Sequence, residues 1–247
     1  MYSGVMVSSP KAIISAEVLV HGVPTPMFAR ADGRRFVVGT PGASYAIRVT
    51  NTTGRRIEVI TTIDGRHVLD DEPGDSYRNK GFVIPGNSSY LFQGWRSSMD
   101  GTERFVFADP SMSVAERATG QTTNLGVIGF AVHQELYRDA FRDQGYSAVA
   151  VAAASPFSYG NEMMKGGTER GSLTPRGGSI GTGMGEHVHD PVQKVSFTRS
   201  GEAPDILAIG YDTEEVLDSM GLLRPADPNP FPATGQTGYS APKFRGM

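Results

Sequence analysis

The run Ser44-Tyr45-Ala46-Ile47-Arg48-Val49-Thr50, followed at once by Asn51-Thr52-Thr53-Gly54, limits what this chain can become. Its alternation sets Tyr45, Ile47 and Val49 opposite Arg48, the pattern of a strand with one buried face. The turn that follows ends on Gly54, which tolerates a positive φ. Ile57 to Ile63 is β-branched almost throughout and runs into Asp64-Gly65, the strongest short hairpin signal, with His67-Val68-Leu69 as the return strand. The same device, Asp32-Gly33, lies between Met27-Phe28 and Arg35-Phe36-Val37-Val38. Gly81 to Ile84, Ser89 to Phe92, Arg104 to Phe107 and Gly126 to Val132 continue the spacing. Short strands at regular intervals, with turn residues between them, predict an all-β fold: an antiparallel β-sandwich, jelly-roll-like.

Helix is scarce. Ser111 to Ala118 has room for two turns, with Ser111 or Ser113 as N-cap and Gly120 as the stop. Glu214 to Met220 is a second short helix, with Asp212 in capping-box spacing to Glu215 and Gly221 behind it. Composition divides the rest. Residues 1–16 read as an N-terminal arm, 17–143 as the sandwich core, and 144–191 as an Ala- and Gly-rich insertion or loop. Residues 192–222 supply closing strands and the second helix. Residues 223–247 carry too many prolines for a central strand and read as an extended C-terminal arm.

Composition excludes several functions. The chain has 247 residues, 31 Gly, 16 Pro and no Cys, so disulfides, thiolate metal sites and cysteine nucleophiles are ruled out together. A net charge of −3 offers no basic field to recruit nucleic acid. No run of 18 apolar residues predicts a membrane span, and the first twenty residues lack the layout of a leader, so a soluble protein made in a cytoplasm is expected. The sequons at Asn51 and Asn87 read as turn chemistry.

The candidate chemistry is thin. Gly177-Gly178-Ser179-Ile180-Gly181 fits the G-x-S-x-G pattern of a hydrolase elbow, but the strand and helix that would hold Ser179 in a strained turn are missing from the pattern. Gly181-Thr182-Gly183-Met184-Gly185 completes neither phosphate-binding glycine motif. His187 and His189 are spaced to project to one side of an extended strand, as two ligands of a shared metal would. A third ligand has to come from His21, His67, His133 or a carboxylate. Asp70-Asp71-Glu72, Asp205 and Asp212 read as exposed loop charge, and Arg34-Arg35 and Arg55-Arg56 as solvated turn residues. The lone Trp95 follows an apolar strand, which favours packing, with Arg96 stacked on an aromatic face; an exposed sugar platform is the other reading. No catalytic residue and no cofactor is expected.

Several blocks resemble, as an ordered set over roughly residues 40 to 220, a group of uncharacterised bacterial and phage-borne β-rich proteins. These are Asn51-Thr52-Thr53-Gly54-Arg55-Arg56, the Asp64-Gly65 segment, Gly81-Phe82-Val83-Ile84-Pro85-Gly86, Gly94-Trp95-Arg96, Phe105-Val106-Phe107, Gly126 to Val132, and Ile180-Gly181-Thr182-Gly183. The resemblance implies a coherent β domain that includes the strands after the glycine-rich stretch. It brings no activity and no catalytic residues.

A compact β domain with an arm at each end and no catalytic constellation predicts a non-enzymatic structural or assembly protein. A phage virion component such as a capsid decoration or cement protein fits best. Its partners would be other protein subunits, in a homo-oligomer or capsid lattice, without nucleic acid or membrane. Phe231, Tyr239 and Phe244 would anchor the C-terminal arm on a neighbour. The alternative is a glycan- or metal-binding module at a cell envelope, using Trp95 or the His187–His189 pair.

Overall fold

The computed structural model describes residues 4–136, 156–158 and 178–223. In chain order its strands are β1 (Val7–Ser8), β2 (Ile14–Val20), β3 (Val23–Pro24), β4 (Met27–Ala29), β5 (Arg35–Val38), β6 (Ser44–Asn51), β7 (Ile57–Ile63), β8 (Arg66–His67) and β9 (Phe82–Ile84). They continue with β10 (Ser89–Phe92), β11 (Gly94–Arg96), β12 (Gly101–Ala108), β13 (Val127–Gln134), β14 (Pro156–Ser158), β15 (Gly181–His189), β16 (Gln193–Val195) and β17 (Asp205–Asp212). Two short helices complete the described residues, α1 (Val114–Thr119) before β13 and α2 (Glu214–Ser219) after β17.

The strands form two sheets, so the all-β expectation holds. One contains β1, β2, β3, β6, β10, β11, β12 and β15; the other runs β16-β14-β9-β7-β13-β17-β5-β4, with β8 on β7. In the first sheet β2 pairs along β6 from Ile14↔Asn51 to Val20↔Tyr45, and β15 pairs along β12. In the second, β13 lies antiparallel between β7 and β17, while β5 joins β17 in parallel. Inward residues of both sheets share one core: Val18, Ile47, Phe105 and Phe107 from the first, Val59, Ile63, Ile128 and Ile209 from the second. Each such side chain contributes about 1.5–3 kcal/mol when fully buried.

Turn chemistry sets the local register. Asp64 (φ 54°) and Gly65 (φ 77°) are both left-handed, the backbone of a type I′ hairpin turn, as Asp-Gly predicts. Gly94 is there because of crowding: a Cβ would lie 2.0 Å from the Glu103 carbonyl oxygen of the paired strand. Asn51 ends β6 and is wholly buried. Its amide donates to the carbonyls of Arg55 (2.7 Å), Ile84 (3.1 Å) and Pro85 (2.9 Å), and its Oδ1 accepts from the Thr53 amide (2.9 Å). One side chain thus joins the first sheet's β6 to the second sheet's β9.

Several expectations are corrected. Ile14–Ala16, expected in an N-terminal arm, belong to β2, because Ile14 and Ala16 enter the core and pair with Asn51 and Val49. Gly181–His189, expected within a loop, form a nine-residue strand. The N-cap of α2 is Thr213, whose Oγ1 accepts from the Val216 amide, and not Asp212. Ser113 caps α1, and Gly120 ends it in the left-handed conformation (φ 68°), as expected. The glycine-rich stretch up to residue 177 and the arm after residue 223 lie outside the described residues. Among the described residues no helix is long and apolar enough to cross a membrane.

Replacing Asn51 by Ala removes its three side-chain bonds to the carbonyls of Arg55, Ile84 and Pro85. It should lower unfolding stability by about 3 kcal/mol, at roughly 1 kcal/mol per bond. Urea unfolding of the two chains measures this; a difference within error would show that the Asn51 bonds do not hold the sheets together.

Candidate functional site

The densest polar cluster is built around Asp64. The β7–β8 turn carries its carboxylate into the protein at the end where β15, β17 and the start of β13 converge, leaving it 3% exposed. Oδ1 accepts from Tyr211 Oη (2.6 Å) and the Gly126 amide (2.9 Å), and Oδ2 accepts from the Thr182 amide (2.7 Å). Tyr211 has one hydroxyl hydrogen and directs it at Asp64, so its oxygen accepts from Thr182 Oγ1 (2.7 Å). Thr182 in turn accepts from Tyr45 Oη (2.7 Å). The chain of hydroxyls, Tyr45 to Thr182 to Tyr211 to Asp64, crosses from one sheet to the other with every hydrogen pointing toward the carboxylate. Such ordering strengthens each bond in a low-dielectric interior.

Burial pushes the Asp64 carboxyl up to about 6, against the lowering effect of the bonds from Tyr211, Thr182, Gly126 and Val127. Burial, and then the Asp64 charge, raise Tyr45 and Tyr211 well above the ordinary tyrosine range, so both stay protonated donors. Oδ1 is fully engaged and Oδ2 accepts one bond, and among the described residues no imidazole bonds to this carboxylate. The arrangement ties the two sheets together.

Ser179 lies beside this cluster. Its Oγ donates to Asp212 Oδ1, and its amide also faces that carboxylate (3.2 Å). Asp212 is buried, correcting its reading as exposed loop charge; it also accepts from the Thr213 amide (2.9 Å). Asp205 is buried as well and accepts from the Lys11 amide (3.0 Å). Ser179 thus meets a carboxylate, and among the described residues no imidazole bonds to it. His67 Nδ1 faces Asp70 Oδ1 (2.8 Å), and His133 Nε2 faces the Ser76 carbonyl (2.7 Å).

His187 and His189 sit at the far end of β15. The His187 ring lies on Gly101, where a Cβ would come within 2.2 Å of Cε1, and its Nδ1 meets Glu103 Oε1 (2.9 Å). Among the described residues no group of three or more His, Asp or Glu side chains is placed to hold a metal ion. Trp95 is 3% exposed and donates Nε1 to the Gly183 carbonyl (3.2 Å), which corrects the sugar-platform reading. Arg96 stacks 5.8 Å from the Phe82 ring centre, as expected, and forms an ion pair with Asp190 (2.6 Å). Phe231, Tyr239 and Phe244 lie outside the described residues.

The sequence reading took Asp64 only as a turn residue. Its partners Gly126, Thr182 and Tyr211 are 62, 118 and 147 residues away. Comparison with protein-family models, with curated proteins and with solved structures finds no match for this chain.

Two outcomes test the Asp64 cluster. Asp64→Ala leaves the Gly126 and Thr182 amides and the Tyr211 hydroxyl without an acceptor, and should cost about 3–6 kcal/mol in denaturant unfolding. The pH dependence has a definite sign. The unfolded carboxyl ionises near 3.8 and the folded one near 6, so the folded chain holds the extra proton between them. This group's contribution therefore falls as pH rises from about 4 to 6, by about 3 kcal/mol in all. The stability difference between the parent and Asp64→Asn, followed from pH 4 to 7, should show that slope; a difference independent of pH would refute it.

Proposed function

We propose that this chain is a non-enzymatic structural protein of a virion, of the capsid decoration or cement kind. The observation that carries the reading is how the chain uses the side chains best able to do chemistry. Asp64, Tyr45, Tyr211 and Thr182 tie one sheet to the other. Asn51 joins β6 to β9, and Arg96 clamps Asp190 and Tyr90 (3.0 Å to the hydroxyl). Glu58, buried, accepts from Arg199 Nε (2.6 Å) and the Gly81 amide (2.8 Å). Buried polar networks of this kind favour one rigid shape, which suits a subunit that must fit a lattice.

In this reading Phe231, Tyr239 and Phe244 seat the C-terminal arm on a neighbouring subunit. For the glycan- or metal-binding alternative, the described residues offer a Trp95 that is buried and a His187 engaged with Glu103 and Gly101.

Particles released from producing cells and banded on a density gradient test the proposal. The chain should band with the particles at a fixed ratio to the major shell subunit, and should rebind to stripped particles up to that same ratio. Recovery solely from the soluble fraction would overturn it.

A further inference from the structure

The outer face of the second sheet breaks the usual alternation of apolar inside and polar outside. Along β17 the outward residues are Ile206, Ala208 and Gly210, and beside them on β13 come Val127 and Gly129. Ile206 is 50% exposed, and the other four are half-buried. On the β5 side the half-buried Phe36 ring covers Gly210, where a Cβ would lie 2.4 Å from it, and Phe28 pairs with Phe36. No charged residue interrupts this group. Charge appears only at its borders: the Asp32–Arg34 ion pair at the β4–β5 turn (2.5 Å), and Glu58 with Arg199 beyond β13 (2.6 Å). Four strands by about six residues give roughly 400 Å². A footprint of that size is in the range of the largest apolar patch on a typical free protein, which often serves a contact, yet only about half of what each partner buries in a standard stable interface. An extended segment fits such a face better than a second folded body does.

The chain itself contains a segment of that kind. Residues 228–242, PNPFPATGQTGYSAP, are fifteen consecutive residues with no charge, and they include Phe231 and Tyr239. Their point of departure is close by. β17 ends at Asp212, α2 follows at Glu214 and packs against β5, and the described chain ends at residue 223, four residues before the segment. Fifteen extended residues reach up to about 50 Å, ample for a face about 20 Å long. So short a tether gives an effective concentration in the millimolar range.

We infer that the outer face of β5, β17 and β13 is the docking site for residues 228–242 of the same chain in the free protein. Phe231 and Tyr239 cover the Ile206-Ala208-Gly210 row, and the prolines keep the segment extended at little further cost in entropy. The inference rests on the proposed function only in treating the C-terminal residues as an arm. A seat on the chain's own body is also the contact that a neighbour would take over by exchange.

The test uses the full-length chain with Ala208 replaced by p-benzoylphenylalanine, mixed with an equal amount of unmodified chain carrying 15N. After irradiation, the cross-linked peptides are identified by mass. The expected product joins position 208 to residues 228–242 of the same, unlabelled copy. Adding Ile206→Glu should lower its yield about tenfold by setting an unpaired charge on an apolar contact. A melting temperature close to the parent's would show that both changes leave the fold intact, and p-benzoylphenylalanine at Ile206 gives a second position. Products that join the face to residues 137–177, to a 15N copy, or to nothing at all would each overturn the inference. Particle association is measured separately, so a chain that bands with particles but gives no such product refutes the docking alone. The reverse result refutes the virion reading alone.

Discussion

A carboxylate held in the interior between two sheets has few stable solutions, and Asp64 shows one of them. Left without partners, it would cost more than the fold can spare. Given donors from the start of β13, from β15 and from β17, it makes those elements depend on one another. The core supplies most of the stabilisation but is indifferent to small shifts of one sheet over the other. The directional bonds to Asp64 are not, since a register slip in β15 or β17 would leave a buried acceptor unmatched. A similar argument applies at the opposite end of β7, where Asn51 gathers three carbonyls, from Arg55 in the β6–β7 turn, from Ile84 at the end of β9 and from Pro85 just after it. The sheets are thus fixed near both ends by polar contacts that hydrophobic burial alone could not specify.

Local patterning made the first two thirds of the fold legible. The alternation of Ser44–Thr50, the β-branched Ile57–Ile63 and the Asp-Gly turns each carry their own physical reason, and each describes the observed element to within a residue or two. What was not legible depended on distance or on glycine. Gly181, Gly183 and Gly185 suggest a loop by propensity. In the fold they lie where a Cβ would press on Ser113, on the Met112 carbonyl and on Val106, so the strand is glycine-rich because its neighbours leave no room. Asp212 looked like surface charge because nothing local reveals that Ser179 and Thr213 surround it. The paired histidines were read by spacing, and spacing cannot show that Glu103 and Gly101 already occupy His187.

Charge inside this protein is concentrated in clamps. Arg199 reaches from beyond the second sheet to Glu58 and also donates to the carbonyls of Tyr77 and Asn79, which holds the connection before β9 against the sheet. Arg96 does the same for the segment after β15 through Asp190. Each guanidinium meets both a carboxylate and backbone carbonyls, so removing one partner would expose several buried groups at once. The connections they fasten are long, and without such clamps they would be the first parts of the fold to open.

The parallel pairing of β5 with β17 has a consequence for the order of events during synthesis. Arg35–Val38 leave the ribosome early, but the strand they pair with, Ile209–Asp212, is made more than 170 residues later. The β4–β5 hairpin therefore remains a two-stranded unit, marginal on its own, until nearly all of the described chain exists. The Lys11 amide waits as long for Asp205. Closing loops of that length is slow, and a fold made of such contacts condenses late and as a whole. Through that interval the N-terminal strands have open edges, and a crowded cell offers them other strands to pair with.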